Sequence, residues 1–203
     1  MIKTIHEDLI NNWKTKTKDL SIKEELSLDK IIVEAIKRAH SPSVNRALNT
    51  CGNSTRNPRE NAANYLQTQI YELVNDSTID ERKFDLWIKE ACYKIRQFYH
   101  DENIKDYTLG NAQKLVNMTI KFLFSAKSID YNLQLFKVCH LPIDRVIMKK
   151  AKKHLNINKL KNAWSKTDDW DDIIDYQNQI REKVSLEEEK YPLFWECNHW
   201  NKE

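Results

Sequence analysis

Residues 107–124 read YTLGNAQKLVNMTIKFLF, and residues 139–153 read CHLPIDRVIMKKAKK. The first run contains no Pro, and Thr108 or Gly110 can open a helix there. Ala112, Leu115, Val116, Met118 and Phe122 recur at helical spacing, and Ile120, Leu123 and Phe124 widen the apolar face. So much apolar surface predicts a central helix, covered on most sides. Gln113, Lys114, Asn117 and Lys121 fall three and four residues apart, on one narrow polar stripe. The stripe is either a solvated edge of a half-buried helix or the lining of a cleft.

The second run is a helix start. Pro142 fixes its own φ and biases Leu141 away from helix, so Leu141-Pro142-Ile143 is extended. Asp144 then suits the N-cap, where its carboxylate accepts from the free amides of the next turn. The helix that follows should turn Val146, Ile147 and Ala151 inward and Lys149, Lys150, Lys152 and Lys153 outward. Asp144 has two readings: a plain cap, or a carboxylate held by the helix dipole at the edge of a cleft.

Composition sets the frame around these two segments. The chain has 203 residues, with only two Gly and four Pro. Glycine-dependent loops such as a dinucleotide fingerprint or a P-loop are excluded, and long amphipathic runs predict an all-α fold. The expectation is a single domain over residues 1–203, built of about seven to nine helices. The net charge of +3 understates the polarity of the chain. Arg145, Lys149, Lys150, Lys152, Lys153, Lys159, Lys161 and Lys166 are interrupted by no acid, and Asp168, Asp169, Asp171, Asp172 and Asp175 follow directly. Such segregation makes a local field.

No run approaches the ~18 apolar residues of a membrane helix. The N-terminal MIKTIHEDLINNW has no apolar signal core, and Cys51, Cys92, Cys139 and Cys197 form no C-x-x-C. A cytoplasmic protein with free thiols is expected, without membrane contact. Cys139-His140 with Cys197 and His199 could in principle hold zinc, but their spacing matches no known ribbon or finger. No metal or cofactor is expected.

Along the chain, residues 4–20 predict a first helix through Ile5, Leu9 and Trp13. Ser27-Leu28-Asp29 opens a second, to about His40. The Asn-rich segment 41–60 reads as a mobile basic loop carrying Arg46, Arg56 and Arg59. Asn57-Pro58 opens the next helix, and Ser77-Thr78-Ile79-Asp80 opens a core helix ending near His100. Thr167 or Asp168 should cap a helix whose inner face is Trp170, Ile173, Ile174, Gln177, Ile180 and Val184. Residues 191–203, which include YPLFWECNHW, form an aromatic tail that should pack on the body through Trp195 and Trp200.

Around Gly110, Lys114, Leu141, Pro142, Ile143, Asp144 and Val146, the chain resembles the C-terminal half of helix-hairpin-helix DNA glycosylases and their OGG-like relatives. In those proteins a glycine-opened helix is followed by an apolar-Pro-apolar-Asp segment that caps the next helix. The resemblance covers about 50 residues by inspection of these motifs. It implies that Asp144 is the essential carboxylate facing an extruded nucleotide, with Lys121 or Lys127 as candidates for a nucleophilic lysine. The family's L-P-G-[VI]-G hairpin is absent between Phe124 and His140.

Three functional expectations follow. The first is a protein that binds DNA or RNA, with Arg145, Lys149, Lys150, Lys152, Lys153, Lys159, Lys161, Arg46, Arg56 and Arg59 on phosphates, and Trp164 or Tyr107 stacked on a base. If it is an enzyme, Asp144, His140, Gln113 and Lys114 are the candidate catalytic group, acting on a base or an N-glycosidic bond. The second is a non-enzymatic factor of a phage or mobile element, with a protein partner on its aromatic tail and segregated charges. The third is a helical ribonuclease toxin using Arg96 and His100, four residues apart on one helix face.

Overall fold

The computed structural model describes residues 27–40, 58–126 and 133–199. Among the described residues there are eight α-helices and no strand. They are α1 (Leu28–Ala39), α2 (Pro58–Asn75), α3 (Glu81–Asp101), α4 (Leu109–Phe124), α5 (Leu133–Val138), α6 (Arg145–Lys150), α7 (Trp170–Val184) and α8 (Pro192–His199). A π-helical turn, Ala151–Leu155, continues α6, and a 3-10 turn, Trp164–Lys166, precedes α7. None of these helices is long and apolar enough to cross a membrane. The expected helix at 4–20, Arg46, Arg56, Lys127 and Trp200 lie outside the described residues, as does most of the expected 41–60 loop. Pro58 opens α2, so Arg59, expected in that loop, stands exposed in the first turn of a helix. Proline is suited to that position, having no amide to leave unsatisfied.

The first four helices close a ring in which α1 packs on α2 and α4, and α3 packs on α2 and α4. The second group joins α5 to α8, and α7 to both α8 and the π turn. Phe124 of α4 stands between the groups, its ring against Phe136 at 4.9 Å and Phe194 at 5.1 Å. All sixteen residues of α4 are buried, including Gln113, Lys114, Asn117 and Lys121. The polar stripe is therefore an interior seam rather than a solvated edge. Its partners come from the segment before α6 and from α8.

Local sequence chemistry fixes several of these elements. Asp80 caps α3, accepting from Lys83 N at 2.8 Å. Thr108 caps α4, its side chain accepting from Asn111 N at 3.3 Å. Gly110 is required by close approach, because a Cβ there would lie 1.8 Å from Trp164 O. Its own amide donates to Thr167 O at 2.8 Å. The 3-10 turn is thus pressed onto the backbone of α4.

Three expected placements differ. Val146 points outward, 39% exposed, and Met148 takes the inner position beside Ile147. Counted from the Asp144 cap, residues 147, 148, 151 and 155 share the inward face, which leaves Val146 beside Arg145 on the outer one. The cap of α7 is Asp169, which accepts from Asp171 N at 2.9 Å. Asp168 instead accepts from Leu109 N at 2.9 Å and pairs with Arg96, so it serves the start of α4. Tyr107 is buried and stacked on Tyr99 with 3.7 Å between ring centroids. It has no face left for a base.

Candidate functional site

Asp144 is held from two sides. Its Oδ1 accepts from Val146 N at 2.9 Å and Ile147 N at 3.0 Å, the capping geometry expected of an Asp before α6. Its Oδ2 lies 3.3 Å from Lys114 Nζ of α4. Asp144 is 5% exposed and Lys114 8%. The same ammonium sits 4.6 Å from the Trp164 ring centroid, a cation–π contact. The corner therefore joins three separate segments: α4, the α6 start and the 3-10 turn. It carries one negative and one positive charge against an aromatic face.

Gln113 fixes the approach of the Asp144 segment. Its Nε2 donates to Ile143 O at 2.9 Å and Gly110 O at 3.1 Å. Its Oε1 accepts from Ile143 N at 3.2 Å and from Asn117 Nδ2 at 3.1 Å. One amide thus pairs both polar groups of Ile143, a residue in the non-helical approach to α6. With four hydrogen bonds made, Gln113 positions backbone rather than offering a free group to a ligand.

Deeper along α4, Lys121 is buried against Glu196 of α8. Burial pushes the Glu196 carboxyl up, and the negative charge of Asp144 adds to that push. The Lys121 ammonium and the Cys197 thiol act the other way, without cancelling the rise. Sequence reasoning missed Glu196. Its one signal is that it is the sole acid within YPLFWECNHW, a run otherwise suited to the interior.

His140, grouped with Asp144 on sequence proximity, belongs to another cluster. Its Nε2 is 2.8 Å from Asp85 Oδ1, and its ring stands edge-on to Phe84 at 5.2 Å. Arg181 of α7 completes this cluster, donating to Asp85 at 2.7 and 3.0 Å and to Val138 O at 3.2 Å. Burial lowers the pKa of His140, and the nearby Arg181 lowers it further, against the opposing effect of Asp85. Burial alone would raise Asp85. The hydrogen bonds from His140 and Arg181 outweigh it and hold that carboxyl at about 2. Extended backbone separates the two clusters: between Cys139 and Asp144 no residue is helical, so His140 and Asp144 share no helix face. The structure brings together Gln113, Lys114 and Asp144, and leaves His140 as a tie between α3 and the approach to α6, with Arg181 of α7 on the same Asp85.

Arg96 and His100 are separately engaged. Arg96 pairs with Asp168, and His100 Nε2 lies 2.8 Å from Tyr107 O.

The basic tract divides in the same way. Arg145, Lys149, Lys152, Lys153 and Lys159 are exposed and make no ion pair among the described residues, while Lys150 is half-buried. Lys152 donates only to Asn156 and Asn158, at 3.2 and 2.8 Å. Lys161 pairs with Asp172 at 2.8 Å, so part of the basic tract is answered by the acidic one that follows it. The side chain of Lys161 remains 81% exposed, so the pair is a weak surface contact.

No group of three or more His, Cys, Asp and Glu side chains converges on a metal position among the described residues. The thiol of Cys139 donates to Leu135 O at 3.0 Å instead. No protein-family model, curated protein or solved structure matches the chain.

Proposed function

We propose that the protein binds nucleic acid through the outward face of α6 and the turn that follows it. The observation that carries this reading is the run of five exposed cations, Arg145, Lys149, Lys152, Lys153 and Lys159, that begins beside Asp144 and has no carboxylate partner among the described residues. Arg145, Lys149 and Lys152 follow one another at spacings of four and three, so they line a single stripe of α6 and its π turn. Cations so spaced suit a phosphate backbone, which carries regularly repeated charge and is the usual electrostatic partner of a lysine face.

A salt titration tests this. Five phosphate contacts give a log–log slope of about −4.5 on duplex DNA. The double substitution Lys149→Glu with Lys153→Glu should flatten that slope by about two units and weaken all sequences alike. Failure of the wild-type protein to bind DNA or RNA at ~50 mM salt, where counterion release is strongest, would end the proposal.

A finer reading rests on the same corner. Asp144, Lys114 and Trp164 stand at the end of the cationic run, and a carboxylate beside an ammonium and an indole suits base-excision chemistry on an extruded nucleotide. Its test is release of a damaged base from a duplex, scored by alkaline strand cleavage. Asp144→Asn should abolish release while leaving the salt slope unchanged. Wild-type protein that binds such duplexes and releases no base would confine the protein to binding.

A further inference from the structure

The seam of α4 continues past Asp144. Lys121 follows Lys114 by two helical turns and meets a second carboxylate, Glu196, and Asn117 lies on the stripe between the two ion pairs. Two acceptors in this stretch have no hydrogen-bond partner among the described residues, Asn117 Oδ1 and Glu196 Oε2. Both residues are 0% exposed. Trp195, next to Glu196 in α8 and equally buried, has an indole N–H with no partner among the described residues. Buried polar atoms almost always find a partner, in protein or in ordered water. Two ammoniums and two carboxylates cancel in charge, so whatever completes the seam is neutral. The unpaired acceptors call for a hydrogen-bond donor, and the unpaired indole for an acceptor. Water meets all three conditions, and polar partners are what retain it inside a protein.

We propose that water is bound between the Lys114–Asp144 and Lys121–Glu196 pairs, on Asn117 Oδ1 and Glu196 Oε2, and that Glu196 thereby shares one hydrated two-carboxylate site with Asp144. The electrostatics agree, since the charge on Asp144 reaches Glu196 and helps hold its carboxyl above the ordinary range. The groups facing Glu196 are Lys121 of α4, Asp144 before α6 and Cys197 of α8. Resting on the base-excision reading, this is the water on which the Asp144 corner would draw, with Glu196 rather than His140 as its second acid.

Two measurements on the full chain decide. A crystal structure fine enough to resolve waters should place one at roughly 2.7–3.2 Å from each of the two unpaired oxygens. In parallel, carbon-13 titration of labelled glutamates, with Glu196 assigned by its loss in Glu196→Gln, follows its midpoint in two variants. Asp144→Asn keeps the cap and removes the charge, so the Glu196 midpoint should move down. Asp175→Asn, on the exposed face of α7, should leave it in place. A dry seam, or a Glu196 midpoint indifferent to Asp144, overturns the proposal. Neither measurement involves nucleic acid, so that failure would leave the binding reading standing.

Discussion

At the scale of single residues, the site depends more on the side chain that holds backbone than on the one that carries charge. Gln113 satisfies both polar groups of Ile143 inside the protein. Gln113→Ala leaves both buried and unpaired, at about 1–3 kcal/mol each. Chemical denaturation should therefore show a loss of roughly 3–5 kcal/mol, with the Asp144 segment the first to exchange its amides. A loss under about 1 kcal/mol would mean that water replaces Gln113 there, and that its clamp is not what positions Asp144. Asp144 separates two effects that a single substitution would merge. Asn retains the cap but leaves Lys114 facing no carboxylate, whereas Ala removes both. Loss of a cap is worth about 1 kcal/mol, and leaving one partner of a buried pair uncompensated about 3–5 kcal/mol. Asp144→Asn should thus account for most of the destabilisation seen in Asp144→Ala.

At the scale of elements, the sequence showed where helices begin better than what their side chains meet. Asp80, Thr108, Asp144 and Pro58 each announce a start by a short-range rule, and each stands at the start of a helix. The polar stripe of α4 was equally legible as a stripe. Its burial was not, because a stripe of four polar residues reads alike on a surface and in a seam until the facing carboxylates are known. Those carboxylates are 30 and 75 positions away, Asp144 for Lys114 and Glu196 for Lys121. Asp168 makes the same point. Its place before an acidic run suggested a cap for α7, yet α4 takes it, 59 positions back. The element that sets this geometry is the 3-10 turn against Gly110. Gly110→Ala would drive a methyl group into Trp164 O, and because the obstacle is backbone, the turn itself must shift. Overpacking of this kind costs about 1–3 kcal/mol. The shift also draws Trp164 away from Lys114, so the near-ultraviolet dichroism should change along with the melting temperature. A variant with unaltered spectrum and stability would mean that the turn yields freely and does not fix the corner.

At the scale of the whole molecule, two buried histidines tie the fold to pH. His140 joins α3 to the approach of α6, and His40 lies at the C-terminal end of α1, 1% exposed. Burial lowers His40 to about 4, with Arg59 lowering it further and the backbone of Ile36 opposing. His140 is lowered too, by burial first. A lowered histidine means that the unfolded chain binds its proton at a higher pH than the folded one does. Stability is then complete above the unfolded value of about 6.5 and falls as the pH drops toward the folded value. For His40 that window runs from about 6.5 to 4 and is worth on the order of 3 kcal/mol. Asp85 adds a later loss. Its folded value of about 2 lies below the ordinary 3.8, so its contribution is present above 3.8 and disappears between there and 2. Glu196 runs against both. Its raised carboxyl favours the folded state at low pH and costs stability as the pH rises through the interval above 4.5. The His40 shift alone spans the pH 6.5–4 interval, so the urea midpoint should be higher near neutrality than near pH 4. His40→Leu should make the decline shallower, since an apolar group at that position has no proton to refuse. A decline between pH 7 and pH 5 as steep in His40→Leu as in the unsubstituted chain would mean that His40 does not set it.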